Sequence, residues 1–271
     1  MSRVAFQGER GAYSEAAATS FFKEPIETIP HPTFYDILES TELGKSDYAI
    51  LPIENSLEGS VGESYDLLLS TTLNVVGEKY HRIRHCLIGF QSLDKIDTVY
   101  SHPQALGQCR KFIQDHKLKA VPTYDTAGSV KILLELKSDK SACIASKNAA
   151  EIYKVPVIKE GVEDTTNNYT RFLILAKKRQ PKTNNDKTSI IFSVKHVPGA
   201  LYNILEKFNA NKINLTKIES RPTKSTLWEY NFYVDFEGHE VDPNIQDVLR
   251  KLKQNTEFLK VLGSYPRAEL I

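Results

Sequence analysis

Long apolar runs are missing from this 271-residue sequence. No stretch approaches the roughly 18 consecutive apolar residues that a membrane-spanning helix requires. The first apolar residues, 4–6, give way to Gln7 and Gly8, too early for the apolar centre of a secretory signal peptide. We therefore expect a cytoplasmic protein with no membrane partner.

The sequence also lacks an excess of either charge. Its 35 Lys and Arg residues nearly balance 34 Asp and Glu residues, which leaves a formal net charge of +1. Nucleic-acid-binding proteins usually concentrate positive charge on one surface. The balance therefore gives no support for a nucleic-acid partner and favours a small-molecule ligand.

Cysteine is scarce. The three cysteines, Cys86, Cys109 and Cys143, are far apart and lie in apolar or helical surroundings. An odd number with this spacing is typical of reduced thiols, each acting as a small core residue. No metal-ligand spacing occurs, and no strand is followed by a G-x-G-x-x-G turn. The sequence predicts neither a metal nor a redox cofactor.

What the sequence does contain is a repeated unit, a short apolar strand followed by polar residues and a helix. The predicted strands are residues 4–6, 47–53, 98–100, 120–124 and 142–145. Strands that alternate with helices predict parallel sheets covered by helices on both faces. The class is therefore α/β.

Small polar residues follow these strands. They are Asn55, Ser56, Ser101, His102, Thr126 and Ser146. In open α/β sheets, ligands gather at the carboxyl ends of the strands, where helix N-termini attract anions. We expect a cleft that binds a small carboxylated ligand, although helix capping alone explains any one of these residues. Ser14 is the expected cap of the first helix, and Pro103 the first residue of another.

One segment combines several polar groups at the start of a buried strand. Residues 164–172 read DTTNNYTRF and run into the apolar residues 172–175. Hydroxyls and amides at such a place need hydrogen-bond partners. The segment is either a capped turn that leads into a core strand or part of a binding site.

Five segments resemble, in order and approximate spacing, the motifs of prephenate dehydratases. They are GERGAYS at 8–14, LPIENS at 51–56, HPQAL at 102–106, DTA at 125–127 and TRF at 170–172. The resemblance covers roughly residues 1–178. Two positions depart from the family pattern, because Glu9 replaces a frequent proline and Gly128-Ser129 replaces an alanine-rich helix start.

The resemblance implies a fold and an activity. The family's catalytic domain, here residues 1–178, resembles a two-lobed periplasmic binding protein with its active site in the cleft. One lobe is expected to hold residues near 1–77 and 160–178. The implied reaction is the decarboxylative dehydration of prephenate to phenylpyruvate, a lyase reaction in phenylalanine biosynthesis.

The resemblance also implies roles for single residues. Thr170 is the expected catalytic residue, and we favour hydrogen-bond donation to the departing hydroxyl over full proton transfer. The substrate-binding residues are Asn55, Ser56, Thr126, Arg171 and Phe172. Arg171 would clamp a carboxylate with two parallel hydrogen bonds. Glu54 and His102, the conventional acids, rank below Thr170.

Two alternatives stay open at this stage. The two-lobed fold also occurs in proteins that only bind a carboxylated metabolite, although the TRF segment favours an enzyme. The substrate is either prephenate or arogenate, which carries an amine in place of the side-chain keto group, because no residue in the sequence identifies the choice.

A different pattern follows a polar, basic linker at residues 179–187. Residues 188–271 contain strands at 189–194, 213–218, 228–236 and 258–265, with one amphipathic helix after the first strand and another after the third. The order βαββαβ is typical of a ferredoxin-like domain. Trp228 is the expected first residue of the third strand.

This second region resembles an ACT domain. The resemblance rests on PGAL at 198–201 and on NLTKIESRP at 214–222. It implies L-phenylalanine as effector, bound between paired ACT domains of a homodimer or homotetramer. The implied effector-binding residues are Pro198, Gly199, Ala200, Leu201, Asn214, Leu215, Glu219, Ser220 and Arg221.

Overall fold

The computed structural model describes residues 1–223 and 229–269. The elements up to residue 176 are, in chain order, β1 (Ser2–Gln7), α1 (Tyr13–Phe21), β2 (Ile26–His31), α2 (Phe34–Glu42), β3 (Tyr48–Asn55), β4 (Gly59–Ser60), α3 (Gly62–Ser70), β5 (Asn74–Arg82), β6 (Cys86–Ile88), a 3-10 turn (Leu93–Lys95), β7 (Thr98–Ser101), α4 (Pro103–Gln108), α5 (Arg110–Asp115), β8 (Lys119–Pro122), α6 (Gly128–Leu136), β9 (Ser141–Ala145), α7 (Lys147–Tyr153), β10 (Val157–Glu160) and β11 (Tyr169–Ala176). They are followed by β12 (Asp186–Ser193), α8 (Ala200–Ala210), β13 (Leu215–Pro222), β14 (Tyr230–Glu237), α9 (Pro243–Asn255) and β15 (Phe258–Pro266).

The chain forms two compact units. The first consists of Met1–Val61 and Lys79–Phe172, and the second of Gly62–Glu78 and Leu173–Ile271. Helix α3 therefore groups with the C-terminal part of the chain, although it lies early in the sequence. Strands β5 and β11 each run across a boundary between the units.

The first unit is built on two sheets. One has the order β2-β1-β3-β11-β5, with β4 paired to β3, and the other has the order β10-β6-β9-β7-β8. Strand β1 is parallel to β2 and β3, and β7 is parallel to β8 and β9. The predicted two-lobed α/β architecture is confirmed. The expectation of wholly parallel sheets is wrong, because β6 pairs antiparallel with β9 and β10.

Burial explains why the central strands are so apolar. Val4, Ala5 and Phe6 of β1 are all buried, as are Ile50 and Leu51 of β3. A strand that is covered on both faces has no exposed side, so it reads as a continuous apolar run instead of an alternating one. These strands fix the positions of the polar residues that follow them.

Helix starts follow the sequence predictions with one exception. Pro103 is the first residue of α4, and the Ser146 hydroxyl accepts a hydrogen bond from the Ala149 N–H, which caps α7. Ser14 does not cap α1, because the N-cap is Ala12 and the helix begins at Tyr13. The chain turns earlier than expected at Gly11, whose N–H donates to Glu15 Oε2 at 2.6 Å.

The second unit contains the predicted βαββαβ plan. Strands β12 to β15 form an antiparallel sheet with the order β13-β14-β12-β15, and α8 and α9 bury their apolar sides against it. The core includes Phe192, Ile204, Phe208, Phe236 and Leu252. Strand β14 begins at Tyr230, and the predicted strand residue Trp228 lies outside the described residues.

Within the second unit, α3 is held by the strands of this sheet. Lys260 on β15 donates to three carbonyl oxygens at the end of the helix, those of Leu68, Leu69 and Thr71, at 3.0, 2.9 and 2.6 Å. The last carbonyls of a helix have no partner within it, so an ammonium group there supplies the missing donors and opposes the negative end of the helix dipole.

A buried ion pair and a close backbone approach complete this packing. Lys187 on β12 bonds both carboxylate oxygens of Glu78, at 2.8 and 3.0 Å, and both side chains are buried. Gly263 on β15 has φ +151, and a Cβ at this position would lie 2.2 Å from the carbonyl oxygen of Val75. Only glycine allows the two backbones to approach this closely.

Candidate active site

A cavity of about 330 Å³ opens in the first unit at the ends of the strands. Its lining includes Gln7 at the end of β1, Asn55 at the end of β3 and His102 after β7. The starts of α1, α4 and α6 also reach it. This is the location expected for a ligand site in an α/β sheet, where strand ends and helix N-termini meet.

The structure brings four of the predicted catalytic-domain residues to this cavity. Asn55, Thr126, Thr170 and Phe172 all belong to its lining. Thr170 and Phe172 are on β11, two residues apart. Because side chains alternate between the two faces of a strand, both point to the same side.

Arg171 does not line the cavity. It lies between Thr170 and Phe172 on β11, so the same alternation turns its side chain to the opposite face. Arg171 is only 5% exposed. The structure does not bring Arg171 to the cavity, since the strand geometry directs its side chain to the other face, and its expected role as a carboxylate clamp stays a prediction.

Ser56 is also outside the cavity lining. Its hydroxyl donates to the carbonyl of Asn167 at 2.9 Å and accepts from the N–H of Tyr169 at 2.9 Å. Its own N–H donates to the carbonyl of Tyr169 at 2.8 Å. Ser56 thus joins the end of β3 to the start of β11, and its expected contact with the ligand stays a prediction.

No Lys or Arg side chain occurs in the cavity lining formed by the described residues. Gly11, Ala12, Tyr13 and Ser14 line it at the start of α1, a helix whose N-cap has no side-chain hydrogen bond. The first N–H groups of a helix lack partners within it and carry the positive end of its dipole. The N–H groups of Gly11 and Ala12 are bonded to Glu15 Oε2 and to the Glu9 carbonyl, so the backbone donors that can bind an anion here are those of Tyr13 and Ser14.

Asn55 is oriented unambiguously by its partners. Its Oδ1 accepts the N–H groups of Leu57 and Glu58 at 2.9 and 3.1 Å. Its Nδ2 donates to Asn168 Oδ1 at 2.8 Å and to Thr170 Oγ1 at 3.0 Å. Because the Thr170 oxygen accepts from Asn55, its single hydroxyl proton is free to point elsewhere.

The network continues to a histidine. Asn168 Nδ2 donates to Gln108 Oε1 at 2.9 Å, and His85 Nε2 lies 2.9 Å from the same oxygen. An oxygen can only accept, so His85 carries a proton on Nε2. Burial is the main cause that lowers the pKa of His85, against the opposing hydrogen bond to Gln108. The ring is therefore neutral at neutral pH.

Tyr13 closes the network on the other side of the ring. Its hydroxyl lies 2.9 Å from His85 Nδ1 and 2.8 Å from the carbonyl of Arg84. Burial raises the pKa of Tyr13 well above its ordinary value, so the phenol keeps its proton. No sequence pattern points to Tyr13, His85 or Gln108 as site residues. Only their final positions around the cavity reveal them.

The conventional acids occupy different environments. Asp125 lines the cavity, where its Oδ1 accepts from the N–H of Gly128 at 2.7 Å. His102 lines it too, but its Nδ1 accepts the N–H of Gln104 at 3.3 Å as the cap of α4. Glu54 is not part of the lining. Asp125 was expected only as part of the DTA motif, without a role of its own.

The cysteines lie in the core. Cys86, Cys109 and Cys143 are all buried and unbridged. Burial raises the pKa of Cys86 to about 11 and that of Cys143 to about 12, and it raises the pKa of Cys109 as well. Thiols in such surroundings react slowly, because the thiolate is the nucleophile. No described helix is long and apolar enough to cross a membrane.

A second, smaller cavity of about 150 Å³ lies in the second unit. Two predicted effector residues, Ala200 and Leu201, line it together with Val194, Val197 and Tyr230. Gly199, with φ +80, is the N-cap of α8 and turns the chain into that helix. Pro198 and Gly199 lie between lining residues in the chain without being part of the lining.

The other predicted effector residues are found before or on β13, the edge strand of the sheet. They are Asn214, Leu215, Glu219, Ser220 and Arg221, none of which lines the smaller cavity among the described residues. Arg221 lies against α3, where its Nη2 is 2.5 Å from the position of a Cβ on Gly62. Residue 62 has room for this guanidinium only because it is glycine.

Known proteins with similar sequences and folds agree with these features. The prephenate dehydratase family model matches residues 4–180, and the ACT domain model matches residues 188–254. A prephenate dehydratase from Methanocaldococcus jannaschii is 41% identical over 264 residues, which cover 95% of each chain.

Two solved structures have the same fold over nearly the whole chain. A prephenate dehydratase from Arthrobacter aurescens in complex with L-Phe has a TM-score of 0.89 and 31% identity, covering 98% of this chain and 90% of its own. A protein described as the quorum-quenching acylase GqqA has a TM-score of 0.90 and 32% identity, covering 98% of each. The family match and the Methanocaldococcus relative establish that this chain belongs to the prephenate dehydratase family of lyases and carries an ACT domain behind its catalytic region.

Proposed function

We propose that this chain converts prephenate to phenylpyruvate in the cavity of the first unit and that L-phenylalanine regulates the reaction at the ACT domain. One observation carries the catalytic part. Thr170 faces the cavity with its oxygen engaged by Asn55, so its proton is available to a ligand.

The reaction requires a site that binds a dianion and supplies hydrogen-bond donors. Prephenate has two carboxylates and a ring hydroxyl, and it loses carbon dioxide and hydroxide as an aromatic ring forms. The overall change is redox-neutral and gains its driving force from aromatisation. A protein accelerates such a step when it orients the dianion, excludes water and stabilises the charge that develops on the departing oxygen.

Backbone donors bind the dianion in this proposal. The proposed donors are the N–H groups of Tyr13 and Ser14 at the start of α1, since those of Gly11 and Ala12 are bonded to Glu15 and Glu9. Thr126 lies just before α6. Each helix end favours an anion by about 0.3–1 kcal/mol at an exposed site, and by more when the site is partly buried. Because these donors are neutral, they do not hold the negative charge at one carboxylate as a guanidinium would. The charge can therefore shift toward the departing oxygen as the reaction proceeds.

Thr170 donates a hydrogen bond to the departing hydroxyl, and Phe172 packs against the substrate ring. Asn55 acts through Thr170, because both of its amide hydrogens and both acceptor sites of its oxygen are used within the protein. We therefore assign Asn55 as a positioning residue. Asn168, Gln108 and His85 extend the same network and hold Asn55 in this orientation.

Purified protein incubated with prephenate tests the catalytic proposal. Phenylpyruvate should form, and the Thr170→Ala variant should be slower by orders of magnitude. Binding of prephenate without turnover in the unmodified protein would support a sensor in place of an enzyme. The same assay with arogenate decides between the two candidate substrates.

The regulatory proposal rests on the ACT domain and on the complex of the Arthrobacter relative with L-Phe. The smaller cavity is lined by the predicted residues Ala200 and Leu201, and apolar side chains around it fit an aromatic ring. Added L-phenylalanine should inhibit turnover. Turnover that is unaffected by millimolar phenylalanine would remove the regulatory role and leave the catalytic one intact.

We also propose that the functional domains are residues 1–178 and 188–271, with a linker at 179–187, and that the chain forms a homodimer or homotetramer. Strand β13 is the edge of its sheet, and Ile218 on it is 46% exposed. An exposed edge strand with apolar side chains favours pairing with another copy. Sedimentation of the purified protein measures the assembly, and a monomer would refute it.

A further inference from the structure

We propose that Asp125 is the acid that protonates the departing ring hydroxyl, an inference that rests on the proposed function. Asp125 is the one carboxylic acid among the described residues that line the cavity. Thr170, which lines the same cavity, supplies a hydrogen bond to this oxygen, and Asp125 supplies the proton.

One oxygen of the carboxyl group is hydrogen-bonded, and the other lies close to a glycine. Its Oδ1 accepts the N–H of Gly128 at 2.7 Å, which fixes it at the start of α6. Its Oδ2 lies 3.1 Å from the position of a Cβ on Gly8, in the loop between β1 and α1. Residue 8 has φ +109 and no side chain, so the carboxyl can reach the loop that leads into α1.

The surroundings of Asp125 favour the protonated form. Burial raises the pKa of this carboxyl, and the charge of Glu9 adds to the effect. The N–H groups of Gly128 and Ala127 and the neighbouring His102 act in the opposite direction without reversing it. Tyr124 and Tyr153 also face the group, with raised pKa values of their own, and Lys131 is paired with Glu9.

A bound dianion strengthens this preference. A negative charge within a few ångströms raises the pKa of a carboxylic acid further, because a second negative charge is disfavoured. Prephenate therefore binds best when Asp125 is protonated. Substrate binding therefore favours the protonated form of Asp125, which is the form that can donate a proton to the departing oxygen.

The step balances as follows in atoms and charge. The bond between the ring and its carboxylate breaks, and the electron pair forms a ring double bond. The carbon–oxygen bond across the ring breaks with its pair on oxygen, which takes the Asp125 proton and leaves as water. The products are carbon dioxide, water and phenylpyruvate. Asp125 is left as a carboxylate and regains a proton from solvent before the next turnover.

The Asp125→Asn variant separates this role from a structural one. The asparagine oxygen still accepts the Gly128 N–H, so the start of α6 is preserved, but the amide cannot donate the required proton. We expect kcat to fall about 10²- to 10⁴-fold, the usual contribution of a general acid. In the unmodified enzyme, kcat should fall at high pH as Asp125 ionises. The residual activity of the variant should not show this fall.

Glu9→Gln provides a second, independent variant. It removes a negative neighbour of Asp125 and leaves the charge of Lys131 uncompensated, so the high-pH fall of kcat should shift to lower pH while kcat at its plateau is retained. This variant keeps the inference testable even if Asp125→Asn folds poorly.

The outcomes are distinguishable. An Asp125→Asn variant with the kcat and pH profile of the unmodified enzyme would overturn the inference and leave the proposed function standing. A Glu9→Gln profile that does not move would also count against Asp125. Absence of prephenate turnover in the unmodified chain would refute the proposed function itself, and the inference with it.

Discussion

The side-chain amide of Asn55 donates to the hydroxyl oxygen of Thr170 at 3.0 Å. Since Asn55 Oδ1 is occupied by two backbone N–H groups, the direction of this hydrogen bond cannot be reversed by rotating the amide without losing both of them. The Thr170 hydroxyl is thereby set as a donor toward the cavity.

Asn55→Asp tests this direction. An aspartate oxygen in place of Nδ2 would accept from Thr170 and draw its proton away from the substrate. We expect kcat to fall about 10²- to 10³-fold, as when a donor to a developing oxyanion is lost. KM should change much less. Ser56→Ala is the matched control at the end of the same strand, and its kcat should stay near that of the unmodified enzyme.

Arg171→Gln tests whether Arg171 clamps a substrate carboxylate. The buried guanidinium faces away from the cavity, so the variant should keep KM for prephenate nearly unchanged. It should lose about 1–3 kcal/mol of unfolding free energy, a typical cost of disrupting a buried polar group. Steady-state kinetics and urea denaturation measure the two effects. A KM raised by orders of magnitude in a stable variant would identify Arg171 as the carboxylate clamp.

Lys260→Met tests the attachment of α3. Methionine fills the space of the lysine stem but leaves the carbonyls of Leu68, Leu69 and Thr71 without this donor. We expect a loss of about 2–3 kcal/mol in unfolding free energy, because hydrogen bonds from a charged group are stronger than neutral ones. Lys253→Met, at an exposed position of α9, is the control and should be near neutral. Equal stabilities of the two variants would contradict the role assigned to Lys260.

Acid should destabilise the protein through buried histidines. The pKa of His81 is lowered to about 4, mainly by burial. Burial also lowers the pKa of His85. The unfolded chain therefore binds protons first, so stability is lost as pH falls below about 6.5. His81 alone should account for about 3 kcal/mol between pH 7 and 4. Denaturant titrations at several pH values measure this slope, and His81→Gln should flatten it.

Several features of the fold could be predicted from the sequence because they depend on local pattern. The apolar strands β1 and β3, the start of α4 at Pro103 and the βαββαβ order all follow from residue type and spacing. Strand β2 was missed, since this edge strand of the sheet has few buried residues. The helix that begins at Pro103 ends at Gln108, and a second helix follows after Cys109, where the Lys111 N–H donates to the distant Asp164 carboxylate.

The site was predicted only in part. Thr170, Phe172, Asn55 and Thr126 were expected at the cavity and lie there. Side chains alternate along a strand, so Arg171 could have been predicted to point away from the side that Thr170 and Phe172 share. The resemblance of TRF to the family motif led instead to one site for all three. His85, Gln108 and the grouping of α3 with the second unit depend on contacts between residues far apart in the chain, so no local pattern could indicate them.

In the proposed reaction the Thr170 hydroxyl, directed by Asn55, acts on the departing oxygen. This role is tested by comparing kcat for prephenate in Thr170→Val, which keeps the shape and removes the hydroxyl, with kcat in Thr170→Ser, which keeps the hydroxyl. If Thr170 has this role, kcat falls about 10³-fold or more in the valine variant, while the serine variant retains a substantial part of the activity. A valine variant as active as the serine variant would contradict it.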